Sequence, residues 1–250
     1  RPDYGYCGGG QDDRKNVVFP KDDGLWTMDM KTGECRLIVS TAAVKERVPA
    51  VNVEGGLSYF CHTVISKDGA KVYWLSRSVE GVVAAKGGKN GKWETTAFTC
   101  NRDGSDIRRC FPDGWGSSHF NWMPNGEHTM VVTARKDAKP LMTHVEFTVG
   151  KEDEVKQYGS GILDWDGHCI YSPDCRFIST DGYWNANGDR TWVLVRREDQ
   201  AILPLGTFHV PDIYGKNRVF TRCDLHPRFR RDGSQIGFNS VHEGTRQVYV

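Results

Sequence analysis

Along the chain, runs of apolar and aromatic residues stop at short polar turns, and the runs have strand length. Four turns share one form: Lys67-Asp68-Gly69, Pro124-Asn125-Gly126, Pro173-Asp174-Cys175 and Arg231-Asp232-Gly233. Turn residues of this kind between β-branched and aromatic runs are hairpin signals. Each is followed by a strand pattern, Lys71-Val72-Tyr73-Trp74-Leu75 being the first, and two more strands usually come next. No segment of about a dozen residues carries a 3.6-residue apolar period, so helices should be few.

The third residues of the turns lie 57, 49 and 58 positions apart. Four-stranded units recurring every ~40–60 residues are the sequence form of propeller blades. The expected fold is therefore all-β, a single β-propeller domain over 1–250 with four-stranded blades. The blades fall at about 17–40 (partial), 57–111, 118–158, 167–206 and 223–250 (partial). A ring of about six to eight blades needs more chain than this, so the sequence is expected to be part of a longer protein.

The repeat also carries chemistry. Seven residues before the third position of each turn stand His62, His119, His168 and His226. With 8 histidines in 250 residues, a match at one chosen position has a chance of about 3%, so four in succession are not coincidence. The strand entering each hairpin is the innermost of its blade, which would gather these positions around the propeller axis. Counting eight or nine residues past each turn sets Arg77 beside His62, Arg135 beside His119, Tyr183 beside His168 and His242 beside His226. Imidazoles, guanidinium groups and a phenol suit an anionic substrate that must be bound, deprotonated and protonated. His168 and His226, with Cys223, Asp224 or His242, also offer the N, S and O donors that zinc or manganese takes. Satisfied core histidines are the plain alternative.

Composition narrows the partners. Lys+Arg 33 against Asp+Glu 32 give a net charge of +1, which argues against nucleic acid or a membrane surface as a partner held by bulk charge. No apolar run reaches the length of a membrane span, and the opening Arg1-Pro2-Asp3-Tyr4 has neither region of a signal peptide. The chain is thus cytosolic or has lost a signal. Eight cysteines are too sparse for a disulfide scaffold. Cys100 and Cys110 bracket a hairpin turn and could be bridged across it in an oxidising compartment, or be free buried thiols. The glycine-rich basic stretch Lys86-Gly87-Gly88-Lys89-Asn90-Gly91-Lys92 reads as a solvated loop. Asp164, Asp166 and Asp181 could flank the axial site, although aspartates next to turns are usually turn formers or surface charges.

The stretches Ser118-His119-Phe120-Asn121-Trp122, Gly167-His168-Cys169-Ile170-Tyr171-Ser172-Pro173-Asp174, Thr180-Asp181-Gly182-Tyr183 and Arg222-Cys223-Asp224-Leu225-His226-Pro227-Arg228 resemble the β-propeller polysaccharide lyases. That group includes ulvan lyases and oligogalacturonate lyases and is typically seven-bladed. The resemblance implies a secreted or periplasmic enzyme whose partner is an anionic uronate-containing polysaccharide. Cleavage would be β-elimination at C4, leaving a 4,5-unsaturated sugar. It implies His119 as base, Arg135 as the group that neutralises the carboxylate, and Tyr183 or His62 as acid. Arg77, Arg222 and His242 would bind substrate. A divalent metal, zinc ahead of manganese or calcium, would sit on His168, His226 and Cys223. An ulvan-like substrate is favoured over oligogalacturonate because no Gln-x-x-His-x-His run precedes Pro227. Ser76, where relatives carry a second histidine, weakens the role of His62.

Overall fold

The computed structural model describes residues 17–48, 57–79, 93–112, 114–136, 142–183, 185–214 and 223–250. The basic stretch at 86–92 and Arg222 lie outside these residues. The described chain is all-β, with two short 3-10 segments at Thr41–Arg47 and Asp212–Tyr214. It divides into two compact units, 1–65 with 69–116 and 66–68 with 117–250.

Among the described residues the first unit holds two antiparallel sheets. Strands β1 (Gly24–Met28) and β2 (Cys35–Ser40) pair with each other. Strands β3 (Leu57–Ile65), β4 (Lys71–Val79), β5 (Trp93–Asn101) and β6 (Arg108–Arg109) follow in order. Leu25 and Val39 pack against Val72, Trp74 and Phe98, and Trp74 lies between Phe60 and Phe98 with ring centroids 5.5 and 5.6 Å away. Cys100 and Cys110 are free and buried, so the bridge considered for them is absent, and burial pushes the Cys100 thiol up to about 12.

The second unit holds three sheets. One is β7 (Gly116–Trp122), β8 (Thr129–Arg135), β9 (Thr143–Thr148) and β10 (Lys151–Tyr158). The next is β11 (Ile170–Tyr171), β12 (Phe177–Asp181), β13 (Asp189–Arg196) and β14 (Ile202–His209). The last is β15 (Arg228–Phe229), β16 (Ile236–Ser240) and β17 (Gln247–Tyr249). Burial follows strand order: β8 is buried at every position but its last, whereas β10 is mostly exposed. A strand covered on both faces reads as a continuous apolar run, and Met130-Val131-Val132 is one.

Successive sheets of this unit pack face to face. Met123, Val131 and Tyr158 meet Cys169, Tyr171, Ile178, Val193 and Val195, and the Phe238 ring packs at a tilt against Trp192 and Phe208, with centroids 4.7 and 4.8 Å away. The turns behave as their residues dictate. Gly69, Gly126 and Gly233 have φ of 73, 82 and 74°, the left-handed conformation that glycine adopts without steric cost. Cys175 holds the same place at φ 60°, which costs a side-chain-bearing residue about 1–2 kcal/mol. Its carbonyl accepts a hydrogen bond from Arg197 Nη1 at 2.6 Å, an anchor that offsets the strain.

Arg197 in turn forks onto Glu146, Nε to Oε2 and Nη2 to Oε1, both at 3.0 Å. The hydroxyls of Tyr158 and Tyr171 donate to the same carboxylate at 3.3 and 3.0 Å, so one acid on β9 ties two sheets together. Removing one partner of such a cluster leaves buried polar groups unpaired. Glu146→Ala should therefore lower unfolding stability by about 3 kcal/mol, and Glu146→Gln by less, read by urea denaturation.

Candidate functional site

Three of the four repeat-related histidines meet in the second unit. His119 lies on β7, His168 just before β11 and His226 just before β15. The His119 and His168 ring centroids are 4.2 Å apart, and those of His168 and His226 are 4.0 Å apart. His62 belongs to the first unit. There the register shifts between Cys61 and Val64, and His62 takes a left-handed φ of 53° inside the irregularity.

What faces each histidine differs from the expected pairs. Arg77 lies opposite Tyr59, not His62. Thr133, not Arg135, is across from His119, since the His119 amide donates to Thr133 Oγ1 at 3.0 Å; Arg135 is exposed at the end of β8. Asp181 is across from His168. The Asn239 amide donates to Leu225 O, which puts His242 past the residues facing His226; His242 packs on Phe208 and Tyr249 instead. The turns return the chain sooner than a count of eight or nine allows: the overshoot is two residues at Arg135 and Tyr183, which keeps the face but moves one neighbour along, and three at His242.

Two aspartates organise the histidines. Asp166 Oδ1 is 2.9 Å from His119 Nδ1, and the carboxylate also accepts from Thr133 Oγ1 and Ser118 Oγ, both at 2.7 Å. Burial works to raise its pKa, but the bonds from His119, Thr133 and Ser118 more than offset this and hold the carboxyl below its ordinary range. A carboxylate only accepts, so Nδ1 of His119 carries the proton and Nε2 is left as acceptor. Nε2 faces the Tyr183 hydroxyl at 3.4 Å. The Cys169 thiol donates to the His119 carbonyl at 3.7 Å and fastens β7 from behind.

Asp181, fully buried, does more. Its Oδ1 accepts from the His168 amide at 2.6 Å and lies 2.9 Å from His168 Nδ1, and its Oδ2 accepts from the His226 amide at 3.2 Å. Burial opposes the charge, yet the His168 bonds and the nearby Arg190 bring its pKa to about 2. Gly167 has to be glycine, because a Cβ there would stand 1.7 Å from the Asp181 carbonyl oxygen. His226 is held at φ 45°, in the left-handed region. Burial, and then the neighbouring His168, push its pKa down to about 4, so its ring is neutral near pH 7.

His168, Asp224 and His226 each bring a ligand atom within 4.8 Å of the others. Among the described residues this is the group that could hold a metal, with Asp224 in the place expected for Cys223. The Cys223 thiol is instead buried with Val210 and Val241, and burial raises its pKa. Two imidazoles and a carboxylate fit zinc or manganese, and the Asp181–His168 bond is the outer support that metal-binding histidines usually have. Arg190, fully buried, pairs with Asp224, donates to the Gly182 carbonyl at 3.3 Å and lies 5.5 Å from the Tyr183 ring. Arg190 was not legible as a site residue, and Asp166 and Asp181 were legible only as aspartates that could flank the axial site. Aspartates near turns usually form turns, and only their burial separates these two.

The geometry places a proton acceptor, a phenol and a donor set for a divalent cation side by side. No family model and no curated protein matches the chain. Solved structures do. It is similar to an oligogalacturonate lyase in complex with manganese, at 16% identity and TM-score 0.51 over 90% of this chain and 70% of that one. TolB from Acinetobacter baumannii is similar at 12% and 0.54 over 89% and 44%, and a chain of a nidogen/laminin complex at 11% and 0.51 over 89% and 72%. The fold is that of a β-propeller. The three proteins carry unlike names, so the likeness assigns the architecture and no activity. No described helix is long and apolar enough to cross a membrane.

Beneath the site lies His144, fully buried, with Nε2 2.7 Å from Thr180 Oγ1 and Nδ1 3.3 Å from the Leu163 carbonyl. Burial pushes its pKa from 6.5 to about 4, against the pull of Asp166 and Asp181. The folded state therefore keeps this ring neutral where the unfolded chain takes up a proton. Its contribution is full above pH 6.5 and is lost as pH falls toward about 4. For a fully buried ring the loss approaches about 3 kcal/mol. In His144→Gln the total fall in unfolding free energy between pH 6.5 and about 4 should shrink by that amount, leaving the part due to His226.

Proposed function

We propose that this propeller is a polysaccharide lyase that cleaves a uronic-acid-containing polymer by β-elimination. The observation that carries the reading is the chain Asp166–His119–Tyr183, in which an aspartate fixes the tautomer and the free Nε2 meets a phenol at 3.4 Å. Elimination has three requirements: a neutralised carboxylate, a base for the C5 proton and an acid for the departing O4. His119 serves as base through Nε2 and Tyr183 as acid. Arg135, exposed at the end of β8, meets the substrate carboxylate with its two-pronged guanidinium. His62, the other candidate acid, is not needed in this scheme. Arg77, Arg222 and His242 stay outside it; any contact they make is with more distant sugar units.

The residues that would hold a divalent metal are His168, His226 and Asp224. Such an ion would supply positive charge beside the substrate's carboxylate and order the His168 ring against His119. The likeness to a lyase in complex with manganese supports this assignment as it supports the reaction. An anionic polysaccharide substrate fits an extracytoplasmic location.

The rival is a propeller that binds a saccharide or protein without catalysis, and the shared fold with TolB and the nidogen/laminin chain keeps that reading in play. Mixing the protein with ulvan and, separately, with polygalacturonate decides between them. Ultraviolet absorbance of the conjugated double bond should rise with one polymer and fall by at least about 100-fold in rate in His119→Ala and Arg135→Ala. No rise with any uronate polymer, from protein folded by circular dichroism, overturns the lyase reading. Independently, calorimetric titration of metal-free protein with zinc and with manganese should give one site per chain. His226→Ala should abolish that site while Cys223→Ala leaves it, and equal binding by the His226 variant would remove the metal assignment.

A further inference from the structure

The donor set of His168, Asp224 and His226 comes with a cation of its own. Resting on the metal assignment, we propose that Arg190 is a built-in counter-cation of this set. It neutralises Asp224 in metal-free protein and weakens the hold on an incoming ion, so the divalent cation is exchangeable and the fold stands without it.

The argument begins with how Arg190 is held. It is the second residue of β13 and pairs with Phe208 on β14, so its backbone lies inside a sheet with strands on both sides. Its side chain has no solvent exposure. Nη2 of the guanidinium is paired with Asp224 Oδ1, and Nη1 donates to the Gly182 carbonyl at 3.3 Å. The Tyr183 ring lies 5.5 Å away on a further side. A guanidinium keeps its charge inside a protein, and its planar fork is fixed once its donors are taken. Arg190 therefore does not withdraw when a second cation reaches for Asp224.

The charges then act in two directions. Asp181 and Asp224 bring two negative charges to the cluster and Arg190 brings one positive, which leaves one negative charge for an ion to meet. In metal-free protein both carboxylates already have donors, Asp181 from the amides of His168 and His226 and Asp224 from Arg190. Structural metal sites lack such compensation, and chelators unfold the proteins that depend on them. With an ion bound the same guanidinium turns unfavourable. A divalent charge then shares one carboxylate with a buried positive charge, in surroundings where like charges repel more strongly than in water. Arg228, the other guanidinium close to His226, is exposed, and solvent screens it.

The test titrates metal-free protein with manganese chloride and with zinc chloride by calorimetry. Arg190→Met keeps the length of the side chain and removes its charge, and it should bind at least about 10-fold more tightly than wild type. Arg190→Lys keeps the charge and Arg228→Met removes a screened one, so both should stay within about threefold of wild type. A second measurement needs no variant. Wild type stripped with a chelator should retain its native near-ultraviolet dichroism and a cooperative thermal transition, and should take up the metal again at one site. Equal or weaker binding by folded Arg190→Met, or unfolding of wild type on stripping, would overturn the role of Arg190 and leave the metal assignment standing. Absence of binding by wild type and Arg190→Met alike would take down the metal assignment itself.

Discussion

The buried Asp181 carboxylate is the constraint on which the site depends. It sits at the end of β12, where its own strand pairing is complete, and accepts from the amides of His168 and His226 as well as from the His168 ring. One carboxylate thus fixes the starts of two successive sheets relative to each other. A buried charge with three donors is stable, and with one removed it is costly, so the arrangement is held at both ends or at neither. The glycine at 167 and the left-handed backbone at His226 are what the close approach demands of the neighbouring chain.

The architecture was readable because its signals are local. A turn residue, a run of strand-forming residues and a fixed interval repeat whatever the surroundings, and the histidine register follows from the same interval. Pairing across the hairpin was less readable: the partner offset depends on how tightly the turn closes, and two residues of error keep the face while changing the neighbour. That error exchanged Thr133 for Arg135 and Asp181 for Tyr183. The exchange of Cys223 for Asp224 has another origin. Adjacent residues on an irregular segment point to opposite sides, and here the thiol turned to the apolar cluster of Val210 and Val241.

Electrostatics then sorts the groups by role. The acids that support the histidines are ionised despite burial, since each is saturated with donors. His144, lacking a comparable anionic partner, is kept neutral by burial and works as a hydrogen-bonding spacer between Leu163 and Thr180. His226 is neutral for a similar reason, and a neutral imidazole is the form that binds a metal.

His168 is where these roles meet. Its ring touches His119 on one side and His226 on the other, and its Nδ1 is taken by Asp181. His168 is also one of the donor set with Asp224 and His226, so any cation bound there would be ordered by the same carboxylate that orders the histidine beside the proton-transfer pair. The donor set and the pair thus share a wall, and the packing that joins the sheets through Glu146 and Arg197 keeps that wall in register. In a propeller, where each blade contacts only its neighbours, chemistry that spans two blades requires cross-blade polar clamps of this kind; Glu146–Arg197 is one, and Asp181, reaching the His226 amide, is another at the next pair of sheets.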